Sequence, residues 1–197
     1  MTGIVAPGMA HHWQLHRPLF SLLGARCRVL DAQGNLVLFA KRRALRLREH
    51  IEVFEDEGQT RVALRIQTES ILDLGATYVI TDARSGETVG MARRRFVRSM
   101  LRDHWDLLDA AGHPLGEAVE DSLALALLRR FLAAFVPQRL HFQVDGRPLA
   151  ELRQRWNPFV FRADLRMEAG ADARLDPRHL LGVAVLLMVI EGRQESA

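Results

Sequence analysis

From Leu180 to Ile190 the chain reads LLGVAVLLMVI, eleven residues without a polar side chain. At about 1.5 Å per residue this run makes roughly 16 Å of helix, half of the ~30 Å of hydrocarbon that a spanning helix must cross. Asp176 followed by Pro177 supplies an N-cap and a helix-starting proline, and Gly192 supplies a helix-ending residue, so the pattern predicts one helix from Pro177 to Glu191. A helix that is apolar all round must be enclosed by protein or by lipid. Its length argues against lipid, so the rest of the chain is expected to wrap around it. A length of 197 residues with 48% hydrophobic content suits one domain with a single core.

The wrapping material reads as strands. Val62, Leu64 and Ile66 alternate with Arg61, Arg65 and Gln67. Leu140, Phe142 and Val144 alternate with Arg139, His141 and Gln143, and Phe159, Phe161, Ala163, Leu165 and Met167 alternate with polar residues in the same way. One face of each run is made for a core and the other for water. Turn residues punctuate the series at Gln33-Gly34-Asn35, Asp56-Glu57-Gly58, Arg84-Ser85-Gly86, Ala111-Gly112, Asp145-Gly146 and Ala169-Gly170. From Ser122 to Phe135 apolar residues recur every four positions until Pro137, which predicts an amphipathic surface helix. Residues 1–12 are expected as a flexible arm, 13–192 as the barrel domain and 193–197 as a short tail.

Three segments carry a resemblance: GNLVLFAKRR; TYVITDARSGETVGMARRRFVRSMLRDHWDLLDAAGHPLGEAVEDS; and WNPFVFRADLRM with LDPRHLLGVAVLLMVIEG. In this order they resemble the LURP-one-related, phospholipid scramblase-like branch of the Tubby C-terminal-like superfamily, over roughly residues 13 to 192. The resemblance implies a mainly β protein, a closed antiparallel barrel of about twelve strands around its hydrophobic C-terminal helix. It also implies where lipid phosphates would bind. In Tubby proteins a basic stretch after the strand similar to NLVLFA holds phosphoinositide phosphates with a K-x-R pair, and Lys41 and Arg43 stand at that spacing.

The charge balance is close to neutral, with 27 basic residues, 24 acidic ones and a formal charge of +3; Lys41 is the one lysine among them. That argues against a polybasic nucleic-acid protein, and any basic function must come from local clusters. Two stand out: Lys41, Arg42, Arg43, Arg46 and Arg48, then Arg93, Arg94, Arg95, Arg98 and Arg102. Of these, Lys41, Arg42, Arg43, Arg93, Arg94, Arg95 and Arg98 are the candidate phosphate-binding residues, arginine by bidentate contact. The plainer reading pairs them with nearby carboxylates such as Glu49, Glu52 and Glu55.

Other chemistry finds little support. Cys27, the only cysteine, leaves no internal disulfide, Cys-based zinc site or CxxC pair, and reads as a small buried hydrophobe suited to the cytoplasm. Asp164, Glu168, Asp172 and Asp176 lack the spacing of a calcium loop. His11, His12 and His16 lack the glutamate of a metalloprotease helix, and no nucleophile elbow, P-loop or dinucleotide fingerprint occurs. Trp105 and Trp156 read as packing residues. The expectation is a cytoplasmic, non-enzymatic binding or scaffold barrel without cofactor or metal, attached peripherally to an anionic membrane surface or to a protein partner, and no nucleic acid. The alternative is a scramblase-like lipid transporter, in which the apolar helix would have to enter the bilayer.

Overall fold

The computed structural model describes residues 7–18, 25–42, 50–70, 76–95, 104–120, 139–155 and 160–191. Twelve strands follow one another: β1 (His11–Pro18), β2 (Arg26–Leu30), β3 (Leu36–Arg42), β4 (His50–Phe54), β5 (Val62–Ser70), β6 (Thr77–Asp82), β7 (Thr88–Arg94), β8 (His104–Leu108), β9 (Pro114–Glu120), β10 (Arg139–Val144), β11 (Arg147–Arg155) and β12 (Val160–Met167). Each pairs antiparallel with its sequence neighbours, and β1 pairs with β12, which closes the barrel. The expected fold class is the one observed. Closure leaves no strand edge open, so every strand has two partners.

Helix α1 (Pro177–Glu191) lies where the apolar run predicted it. Asp176 Oδ1 accepts the Arg178 N–H at 2.8 Å and the Asp176 carbonyl accepts the Leu180 N–H, which is the cap read from the sequence. Every residue from His179 to Ile190 is buried. The reason is geometric. Eight strands make a barrel that its own side chains just fill, and twelve leave a wider bore. A helix about 10–12 Å across with its side chains fills that bore. Inward-facing Leu15, Val29, Leu38, Ile51, Leu64, Ile80, Leu107, Phe142 and Leu165 meet it in one continuous core. Among the described residues no helix is long and apolar enough to cross a membrane.

Because the strands alternate in direction, the connections fall at two ends. At one end they are tight turns. Asp31, Asp82 and Asp109 each accept two backbone N–H groups of their own turn, and Asp56 does the same for Thr60 and Arg61. The two-residue turn Asp145-Gly146 has φ of 52° and 71°, the left-handed pair that a type I′ hairpin needs. Helix α1 enters the barrel at this end, after a 3₁₀ turn at Ala171–Ala173. The connections at the other end fall largely outside the described residues, as do the expected helix over 122–135 and Trp156.

One boundary differs from expectation. β1 begins at His11, inside the stretch read as an arm, because the far end of β12 supplies partners: His11 pairs with Met167 and His12 with Arg166. Cys27 is fully buried, and burial pushes its thiol up to about 12, against smaller opposing effects of Arg17 and a backbone hydrogen bond. It is the inert core residue that the sequence suggested.

Candidate functional site

β3 and β7 run in the same direction, so the basic residues at their C-terminal ends reach the same end of the barrel, the one opposite the tight turns. Along the wall they remain apart, since β4, β5 and β6 lie between them. Arg43 and Arg98 lie outside the described residues, as do Arg46, Arg48 and Arg102.

Alternation splits each cluster between the two faces of the sheet. In β3, Leu38 and Ala40 face the core, which puts Arg42 on the inner face and Lys41 on the outer. Lys41 stands directly opposite Arg26 on one side and Glu52 on the other, and its Nζ donates to Gln59 Oε1 at 3.3 Å. In β7, Ala92 faces the core, so Arg94 is internal and Arg93 external. The Arg94 guanidinium sits 5.8 Å from the ring centre of buried Trp105. Arg93 Nη2 donates to Asp106 Oδ2 at 3.3 Å, and Arg95 Nη2 reaches Asp106 Oδ1 at 2.6 Å. Burial works against the Asp106 charge, and the Arg95 and then the Arg93 guanidinium overcome it, holding the carboxyl below its usual range.

Arg42 and Arg94 share the inner face with Arg17, which is 5% exposed and lies over the Phe161 ring at 5.1 Å. All three sit toward the end where α1 terminates. A helix C-terminus carries partial negative charge, and inward cations complement it there. In the sequence Arg42 and Arg94 stand among their outward neighbours, and the Leu38, Ala40, Arg42 alternation is the signal that separates them.

Three of the four carboxylates considered for calcium are engaged elsewhere, and Glu168 is exposed. Asp164 meets His12 Nε2 at 3.1 Å and Arg155 Nε, Asp172 Oδ2 accepts the Gly8 N–H at 2.9 Å, and Asp176 caps α1 and pairs with Arg178. Among the described residues no three His, Cys, Asp or Glu side chains gather as a metal site would require. At the tight-turn end a shallow hollow of about 360 Å³ opens beside Pro7, Asp172, Arg174 and Asp176.

No family model matches the chain, and no curated protein matches it in sequence. Among solved structures it is similar to the X-ray structure of the Arabidopsis thaliana protein AT5G01750, with a TM-score of 0.53 and 8% identity over 96% of this chain and 94% of that one. At that identity the likeness concerns the fold alone, a twelve-stranded barrel with a C-terminal helix.

Proposed function

We propose that this chain is a LURP-one-related, scramblase-like member of the Tubby C-terminal-like superfamily and works as a non-enzymatic binding module, in the cytoplasm, at anionic lipid surfaces. The observation that carries the reading is that Lys41 on β3 and Arg93 and Arg95 at the end of β7 lie toward the same end of the barrel. Because α1 fills the bore, a ligand is met at that end or on the outer wall rather than inside. Lys41, Arg93 and Arg95 supply the outward charge among the described residues, and Arg43 and Arg98 extend the clusters in sequence.

Near an anionic bilayer each basic residue contributes about 1 kcal/mol. Replacing Lys41 and Arg93 with alanine is therefore expected to lower partitioning onto phosphatidylserine-containing vesicles by about tenfold or more at low salt. Raised salt should weaken the wild-type protein in the same direction. Sedimentation with vesicles measures both; equal pelleting of variant and wild type sinks the reading.

A second reading, a protein-binding barrel, draws support from the carboxylates set among the same cations. Asp106 holds both Arg93 and Arg95, and Glu52 stands beside Lys41. It predicts no vesicle pelleting by the wild type at any salt.

A further inference from the structure

Closure of the barrel creates a second basic feature that does not depend on the strand-end clusters. Arg155 on β11 is directly opposite Arg162 on β12, Arg162 is directly opposite His16 on β1, and His16 is directly opposite Arg28 on β2. All four lie on the outer face: Phe161, Ala163, Leu15 and Cys27, the strand neighbours of Arg162, His16 and Arg28, point into the core, and Arg155 shares the face of Arg162 directly opposite it. The three arginines are exposed and His16 is half-buried between them. Arg26, Arg153 and Arg166 stand on the same four-stranded wall, where the carboxylates are Glu151 and Asp164. A chain whose formal charge is only +3 thus gathers much of its positive charge on one wall.

Such a row is costly to the empty protein. Like charges directly opposite on neighbouring strands destabilise a sheet, and their Cβ atoms stand only about 5 Å apart. Arg28 and Arg155 are each met by one carboxylate, Glu57 and Asp164. Arg162, at the centre, has no carboxylate within ion-pair distance among the described residues. No exposed aromatic or large apolar side chain accompanies the row that would suit stacked bases or an apolar partner; Met9 is the one exposed large hydrophobic among the described residues.

We propose that Arg28, Arg155 and Arg162, arrayed around His16, form a binding site for a phosphomonoester group, carried by a lipid headgroup or by a soluble molecule. A dianionic phosphate offers three acceptor oxygens, which suits several guanidinium forks converging from neighbouring strands. Each arm is long enough to reach over the ring of His16, whose own N–H can complete the set. The charge pattern explains the environment of that ring: burial, then Arg162, then Arg28 hold His16 below its ordinary value, opposed by a weaker pull from Asp164. A bound phosphate reverses the sign of the local field, so the histidine reports occupancy.

The test follows the His16 ring by NMR while glycerol phosphate is added to wild type and to Arg162→Gln. The expected result is a saturable shift with an upward move of the His16 titration in wild type, and affinity lower by about tenfold in the variant. Without phosphate, Arg162→Gln should unfold at an equal or higher temperature, because it relieves repulsion and removes no packing. Parallel binding to phosphatidylcholine vesicles doped with phosphatidic acid or with phosphatidylserine identifies the source. Retention by phosphatidic acid alone assigns the site to a lipid headgroup, and a response to glycerol phosphate without vesicle retention assigns it to a soluble ligand. A His16 ring that ignores glycerol phosphate, or responds equally in the variant, overturns the proposal whatever the vesicles show. Because neither Lys41 nor Arg93 belongs to this row, its failure and that of the strand-end reading are separable.

Discussion

His179 illustrates how single residues set the working range of the protein. It sits just inside the barrel on the first turn of α1, where its Nε2 lies 3.0 Å from the Met91 carbonyl, and the neutral ring donates that hydrogen bond. Gly90 makes the room: a Cβ there would fall 2.5 Å from the imidazole Nδ1. Burial pushes the His179 value down, against smaller raising effects of the Met91 carbonyl and Asp176. The unfolded chain therefore takes a proton near pH 6.5 while the folded one resists, so stability is full above that value and falls as the pH drops below it. His16 titrates in the same direction. The unfolding free energy from urea titrations between about pH 7 and pH 5 should decline with a slope of up to about 1.4 kcal/mol per pH unit for each such proton, and His179→Gln should flatten the decline. Asp31, Asp82 and Asp109 have lowered values, so their contribution is present above the ordinary carboxylate range and is lost only at more acid pH. An unchanged slope in His179→Gln would assign the decline to other groups.

At the scale of elements, α1 is retained by polar as well as apolar contacts. Arg178 Nη1 donates to Asp82 Oδ2 at 2.8 Å, and its Nη2 donates to Asp176 Oδ2 at 2.7 Å, which ties the helix entrance to the end of β6. Asp82 is buried and also organises its own turn through Arg84 and Ser85. Arg178→Ala should cost about 1–3 kcal/mol, much of it from leaving Asp82 without its cation. Adding Asp82→Asn should then cost less than it does alone, and a double-mutant cycle by chemical denaturation measures that coupling. Additive losses would show that the two residues act independently. The sequence made α1 legible because an apolar run of eleven residues, an N-cap and a proline agree on one fifteen-residue helix. The Asp82 contact was not legible, since it joins positions ninety-six apart. The same reason hid the Arg155, Arg162, His16 and Arg28 row: local alternation tells which face a residue takes, and only register tells which residues meet across strands.

For the whole molecule, barrel and helix are one cooperative unit. Twelve strands without α1 would enclose a bore lined by Leu15, Leu38, Ile66, Leu107 and Leu165 with nothing to pack against. A chain cut before Asp176 should therefore give no dispersed NMR spectrum and no cooperative thermal transition. A truncated chain with native-like dispersion would mean that the barrel can collapse on itself. The arrangement also imposes a timetable. β1 pairs with β12, so the first strand must wait for nearly the whole domain to be synthesised before it acquires that neighbour, and the helix that fills the centre is made after every strand. Closing so distant a pair is slow, and until then the edges of the unfinished sheet stand open to other chains. On the ribosome this protein should be a client of holding chaperones, and its native state a product of release rather than of elongation.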